Sequence, residues 1–297
     1  MDPTSIEEKL RVRSLVELNF AVVLFAITGL FAKIVPLPVP SVIFGRSAVA
    51  ALALLAYSLV MRTPIRPVRR GDLAVLLGLG VLLAVHWVTY FQAIRVSTVA
   101  VGIISLHVYP IITVLAEPIA EGKRIRLPDV LLALVVLAGI LILVGEFSIT
   151  NTTSQGVLWG TVSAVAFTGR NLVIRRFIQR YSGATLMLYQ TAASAIVLLP
   201  FIVFTGGMGD AIDEWPTFLL LGTVFTAFTQ SLYAGSLKRL SAKTVSIVAT
   251  LLPLHAAILA AIFLGEIPTL RTVIGGVVVL GAVLVETIRA AGKSAKR

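Results

Sequence analysis

Ten times between residues 15 and 290 the chain presents an apolar run of about twenty residues followed by a short break. A helix of that length crosses about 30 Å of hydrocarbon. Lipid offers no partner for a free N–H or C=O, so only structures that close their own hydrogen bonds can cross it. The helices are expected at about 15–35, 41–61, 71–96, 98–116, 127–147, 156–178, 183–205, 215–237, 243–264 and 269–290. Turn signals mark the breaks: PLPVP at 36–40, Pro64 and Pro67, Pro128, NTTSQG at 151–156, GGMGD at 206–210, and Ile267-Pro268. None of the breaks is long enough to form a domain. Hydrophobic residues make up 58% of the chain and charged residues 13%, about half the charged share of a soluble protein. One soluble core cannot hide so much apolar surface. The expected fold class is an all-α integral membrane protein with ten transmembrane helices.

The net charge of +11 raises the question of nucleic acid. Its distribution answers otherwise. The basic residues gather at the N-terminus (Lys9, Arg11, Arg13), after helix 2 (Arg62, Arg66, Arg69, Arg70) and after helix 4 (Lys123, Arg124, Arg126). They gather again after helix 6 (Arg175, Arg176, Arg180), after helix 8 (Lys238, Arg239, Lys243) and at the C-terminus (Arg289, Lys293, Lys296, Arg297). The alternate breaks hold only Lys33, Arg95 and Arg271, and Arg46 and Arg170 lie inside spans. Cytoplasmic loops are enriched in Lys and Arg, so both termini are expected in the cytoplasm. The basic excess reports orientation, and no nucleic-acid partner is expected. The N-terminal MDPTSIEEKLRVRS carries mixed charge with no cleavage pattern, so the first span is expected to stay in the mature protein. Without cysteine there is no disulfide or thiolate chemistry.

The chain also repeats itself. At an offset of 143, Tyr90 falls on Tyr233, Arg95 on Lys238 and Pro110 on Pro253. LLALVVLAGILILVGE, ending at Glu146, answers VIGGVVVLGAVLVE, ending at Glu286. FAITG at 25–29 answers AFTG at 166–169. The units are residues 1–150 and 151–297, five helices each. An odd number of crossings inverts the second unit in the membrane. The charges agree: the loop after helix 4 is basic, while its counterpart after helix 9 has Glu266 and Arg271.

The run LYAGSLKRLSAKTVSIVATLLPLHAAILAAIFLGEIPTLRTVIGGVVVLGAVLV sets a basic turn, a proline-bearing helix, Leu-Gly-Glu and a Gly-rich helix in sequence. This resembles the drug/metabolite transporter superfamily, its EamA-like ten-helix exporters in particular, and within them bacterial amino-acid exporters of the YddG type. The first half departs from the pattern, with AEPIAEGKR at 116–124 in place of Leu-Gly-Glu. The resemblance implies a multi-pass protein of the bacterial inner (plasma) membrane that moves a small-molecule substrate and is surrounded by lipid. No cofactor is expected, and no metal, since no Asp or Glu stands near the histidines at ligand spacing and cysteine is absent. A monomer is expected. Small proton-driven multidrug exporters of the superfamily use a glutamate within helix 1, but here that region reads LNFAVVLFAITG, so that residue does not carry over.

Within the spans, Pro110 deprives the Leu106 carbonyl of its helical donor, and Pro253 that of Ala249. Two readings follow. Each proline is a packing kink, or each opens its helix so that freed carbonyls face cargo at the midplane. His86, His107 and His255 fall inside apolar spans, where they bond a backbone carbonyl or anchor cargo. Trp87 and Tyr90 accompany His86, and Trp159 and Tyr233 are either pocket aromatics or interfacial ones. Arg46 either snorkels to headgroups or forks a carboxylate, and Arg170 has the same two options. Asn171 follows Arg170, and Gln190 occupies the repeat position of Arg46. The expected function is a secondary transporter exporting small amphiphilic metabolites, amino acids including aromatic ones first, as one repeat rocks against the other. Multidrug and sugar-phosphate carriers of the same plan are the alternatives. An intramembrane enzyme is not expected: Gly45-Arg46-Ser47 lacks the second glycine of a serine-protease elbow, and Ser105 and His107 point to different faces.

Overall fold

The computed structural model describes residues 3–67, 69, 71–177, 180–204, 213–240 and 242–294; the expected GGMGD break lies outside them. The described residues form helices and their connections, with no strand among them. In order these are α1 (Pro3–Ile34), α2 (Val39–Val60), α3 (Asp72–Val96), α4 (Val99–Leu106), α5 (Tyr109–Ala120), α6 (Leu127–Val144), α7 (Thr152–Phe177) and α8 (Gly183–Phe204). There follow α9 (Trp215–Gly222), a π-helix (Thr223–Phe228), α10 (Thr229–Arg239), α11 (Ala242–Ala249), α12 (Leu252–Leu264) and α13 (Leu270–Ser294). Among the described residues nine stretches are long and apolar enough to cross a membrane. The tenth expected crossing, Trp215–Arg239, is helical throughout but widens to the π form at its centre. There the Thr226 and Thr229 hydroxyls donate to Leu221 and Val224, each five residues back, at 2.7 and 2.8 Å. Those bonds follow the wider π spacing.

Spans 4 and 9 are not continuous. One helix stops at Leu106 and the next begins at Tyr109; the other stops at Ala249 and resumes at Leu252. Both prolines sit in the first turn of the following helix, where the missing N–H costs nothing. The repeat is visible in the element bounds. The starts of α3, α4, α5 and α6 recur 143 residues on in α9, α11, α12 and α13, and the start of α2 recurs 144 residues on in α8. Gly122 and Gly265, also 143 apart, hold φ of +67° and +68°. Only glycine takes that left-handed turn without strain, and it ends each broken span.

The two repeats interlock. Spans 3 and 4 of the first repeat (α3, α4) pack on α7 and α8 of the second. Reciprocally, α9, α10 and α12 pack on α1 and α2. Small residues let these helices approach closely, as in other membrane bundles. A Cβ on Gly80 would meet Ala193 Cβ at 2.3 Å and the Gln190 carbonyl at 2.8 Å, and one on Gly160 would meet Ser105 Cβ at 2.4 Å. Spans 5 and 10 lie at the edge and pair with each other: a Cβ on Gly275 would lie 2.6 Å from the Gly139 carbonyl. The outward faces of α6 and α13 are aliphatic, with Leu131, Leu134, Leu137, Val273 and Val277 exposed to lipid.

Polar ties close each end. At the end poor in basic residues, Lys33 at the foot of α1 donates to the Ser97 carbonyl at 2.6 Å and pairs with Glu266 at 3.2 Å. Glu266 also accepts from the Val99 N–H at the start of α4, at 2.8 Å. Arg95 donates to the carbonyls of Ala32, Val35 and Leu37. At the basic-rich end Asp72 accepts from the Tyr181 hydroxyl at 2.7 Å and pairs with Arg180 at 3.6 Å. Arg175 pairs there with Glu117, and Arg289 bridges Asp129 and Glu286 at 3.2 and 3.0 Å.

Candidate functional site

Arg46 is carried a third of the way along α2, and only 4% of it is exposed. It does not reach the headgroups. Its guanidinium lies over the Trp87 ring, 4.2 Å from the centroid, with Phe91 at 5.6 Å. A cation over an aromatic face is attracted by the ring quadrupole. Its Nε and Nη2 donate to the Thr226 hydroxyl at 3.3 and 2.9 Å. Thr226 spends its own proton on Leu221 in the π-helix, so its oxygen is free to accept. The π-helix thus aims a hydroxyl oxygen at the cation. Among the described residues no carboxylate lies within 4.0 Å of this guanidinium. An isolated buried charge is costly unless it is paired, and the edge of Arg46 between its two η nitrogens remains able to receive an anion.

A second guanidinium stands on α7. Arg170 Nε donates to Gln190 Oε1 at 2.6 Å, Nη1 lies 3.5 Å from Asn171 Oδ1, and Nη2 lies 3.9 Å from Met187 Sδ. Gln190 is held in turn by its amide donating to the Leu186 carbonyl at 2.8 Å, one helical turn back. Its position in α8 is the repeat counterpart of Arg46 in α2. Arg170 also lacks a carboxylate within 4.0 Å among the described residues.

Aromatic rings join the two cations. From the Arg46 side they run Phe91, Tyr90, His86, Phe167 and Tyr109, with successive centroids 5.9, 6.3, 4.7 and 4.8 Å apart. The Arg170 guanidinium lies 6.0 Å from Phe167. His86 is fixed by Ser163 on α7, whose hydroxyl donates to the His86 carbonyl at 2.9 Å. That leaves Ser163 Oγ to accept from His86 Nδ1 at 2.7 Å. The ring therefore carries its proton on Nδ1, and in the neutral form Nε2 is an acceptor. Beside the Pro110 break, the Thr113 and Thr168 hydroxyls both donate to the Tyr109 carbonyl, at 2.8 and 3.1 Å.

The residues expected at a site from sequence divide into three groups. Arg46, His86, Trp87 and Tyr90 are buried together, and Asn171 and Gln190 form the second cluster with Arg170. His107 meets the far end of the ring wall, edge-on to Tyr109 at 6.1 Å, while Tyr233 and His255 make other contacts. The Nδ1 atoms of His107 and His255 donate to the carbonyl four residues back, Ile103 at 2.8 Å and Leu251 at 2.9 Å, the simpler of the two readings. Tyr233 packs edge-on against Phe25 of α1 at 5.9 Å. Trp159 is corrected outright. It is 41% exposed and shares the outer face of α7 with Leu158, Val162 and Val165, the face turned from α3 and α4 toward lipid. Phe167, Ser163 and Thr226 were not anticipated. Phe167 and its neighbour Thr168 lie in the repeated AFTG, the one signal that marked them. TVFTAF gives no sign of its π form.

An aromatic wall with a guanidinium at each end is suited to binding an anion with an apolar body. Comparison with known proteins places the chain among transporters. The EamA-like transporter family matches the chain twice, over residues 18–145 and 154–287. The chain is 24% identical over 297 residues to a protein of Bacillus subtilis named as the uncharacterized transporter YxxF, covering 99% of this chain and 95% of that one. It is 28% identical over 246 residues to a Pseudomonas aeruginosa protein named pseudopaline exporter CntI, covering 83% of this chain and 85% of that one. A solved crystal structure shares the fold, with a TM-score of 0.60 over 94% of this chain and 99% of that one, at 18% identity.

Proposed function

The chain belongs to the EamA-like transporter family, which makes it a membrane transporter and not an enzyme, and we propose that it exports small amphiphilic metabolites, amino acids including aromatic ones first among them. The observation that carries this reading is Arg46, a buried guanidinium stacked on Trp87 with no carboxylate of the chain within 4.0 Å among the described residues. A cargo carboxylate would take its free edge, and the ring wall of Tyr90, His86 and Phe167 would take an apolar side chain. A relative named as an exporter supports the outward direction.

Alternating access here works across repeats that interlock: α3 and α4 pack on α7; α9, α10 and α12 pack on α1 and α2; and the α2–α8 and α4–α12 contacts join those sets. The bacterial inner membrane with cytoplasmic termini is the placement that the basic loops support. A multidrug cation pump gains no support: the buried acids Asp72, Asp129 and Glu286 are engaged with Arg180 and Arg289 at one end of the bundle. The test is flux in proteoliposomes across a panel of amino acids, with Arg46→Gln beside wild type. Loss of flux in Arg46→Gln at unchanged thermal stability is the expected result. Equal flux in both sinks the Arg46 assignment.

A further inference from the structure

We propose that the cargo carries two anionic groups, one held by Arg46 and the other by Arg170. This deepens the reading of Arg46 as a carboxylate site and rests on it. Three observations converge. First, each guanidinium is held by neutral groups alone among the described residues: Arg46 gives Nε and Nη2 to the Thr226 hydroxyl, and Arg170 gives Nε to Gln190 Oε1 with Asn171 Oδ1 and Met187 Sδ farther off at 3.5 and 3.9 Å, so each has N–H groups left for an anion. Second, the two sites are related through Gln190, which stands in α8 where Arg46 stands in α2 and holds Arg170 of the neighbouring α7. Each repeat therefore supplies one cation, Arg46 from span 2 and Arg170 from span 6. Third, the rings of Tyr90, His86 and Phe167 run between them as one wall.

The depths fit one ligand. Arg46 lies near the start of α2 at one membrane face and Arg170 near the end of α7 at the other, each about 10 Å in at about 1.5 Å per residue. In a core of about 30 Å that leaves the two poles about 10 Å apart in depth. A single carboxylate satisfies one pole and leaves the other guanidinium unneutralised within the bundle. A molecule with an acid at each end of an apolar body satisfies both.

Binding of four probes to the purified full chain in nanodiscs tests this. They are 1,4-phenylenediacetate, with a carboxylate at each end of a ring, 4-methylphenylacetate, with one carboxylate on the same ring, L-phenylalanine and glucose 6-phosphate. The diacid is expected to bind at least about tenfold tighter than the monoacid, and Arg46→Gln and Arg170→Gln are each expected to erase that difference. Equal affinity of diacid and monoacid in wild type overturns the proposal without recourse to any variant. If both are then lost together in Arg46→Gln, the single-carboxylate reading of Arg46 stands alone. Preference for glucose 6-phosphate over the diacid overturns the two-pole geometry in favour of one phosphate. Failure of all four to bind overturns both readings.

Discussion

Glu266 ties the repeats at the basic-poor end, and removing its charge is expected to loosen that end by a calculable amount. One carboxylate oxygen pairs with Lys33 at 3.2 Å and the other accepts from Val99 N–H at 2.8 Å. The two side chains are 19% and 24% exposed. At an effective dielectric of about 20 the attraction at this distance is about 5 kcal/mol before desolvation. Most of that is offset by the cost of drying the ions and by screening, and a pair about one-fifth to one-quarter exposed keeps about 1 kcal/mol. The charge on the bond to Val99, at a helix start where negative charge is favoured, contributes up to about 0.5 kcal/mol more. Glu266→Gln preserves shape and one hydrogen bond while removing both contributions, about 1.5 kcal/mol. The bond to Val99 reaches from the α12–α13 loop to the start of α4, so opening this end between the loop and α4 breaks it and leaves the Lys33 pair intact. The Lys33 pair does not part, so the shift in the closed–open ratio comes from the Val99 contribution of about 0.5 kcal/mol and is about twofold. The assay is the labelling rate of a cysteine placed at Val101 by an impermeant thiol reagent added from that side, with Glu266→Ala as a second variant. Faster labelling in Glu266→Gln, and faster still in Glu266→Ala, is expected. A labelling rate unchanged from the parent in both would show that this contact does not hold the end shut.

Three further outcomes are expected. Pro110→Ala and Pro253→Ala restore an N–H opposite Leu106 and Ala249, so thermal stability is held or raised while transport falls; wild-type rates for every cargo in both variants mean the prolines are packing kinks. Arg46→Lys keeps the charge but loses the ring stacking and the fork, and cargo affinity is expected to fall about tenfold to a hundredfold; an affinity equal to wild type contradicts a bidentate site. An imposed potential, negative on the cargo side, is expected to accelerate flux of a diacid and to slow it when reversed, read with potassium gradients and valinomycin; flux indifferent to potential contradicts net anion movement.

The fold was legible because lipid leaves so few solutions. Twenty-residue apolar runs have to be helices, and the offset of 143 between Pro110 and Pro253 recurs in the helix starts and in the paired glycines Gly122 and Gly265. What an offset does not carry is packing. It says which segments are equivalent, not that α3 lies on α7 and α8 rather than on its own repeat. That choice is made by contact surfaces such as Gly80 against Ala193, and a lone glycine in a span reads equally well as lipid-facing. The site was legible in its charged residues, because a cation inside an apolar span is costly and so conspicuous. It was not legible in Trp159, whose ring suits lipid interface and pocket alike, nor in Thr226. The latter's direction depends on a π turn that TVFTAF, with no glycine or proline, does not announce.

The electrical sign of the site bears on how such a protein could be driven. Cation exporters on this plan work against an inside-negative membrane and need a titrating acid to trade cargo for protons. In this chain the described acids near the spans sit at their ends, and those buried there are bonded to basic residues or to Tyr181. The mid-depth charges are Arg46 and Arg170. An anion leaving an inside-negative cell moves down the potential, which supplies about 2.3 kcal/mol per charge at 100 mV. For one net negative charge that is about a fiftyfold gradient. The guanidiniums would then have a second task besides recognition. They make a charged cargo tolerable at a depth where, unpaired, it would be as costly as they are. Empty, the site holds two unneutralised cations; loaded, it is near neutral. A transporter that changes conformation most readily when its buried charge is smallest would move loaded more easily than empty, and export of the anion would follow from the potential with no proton exchanged.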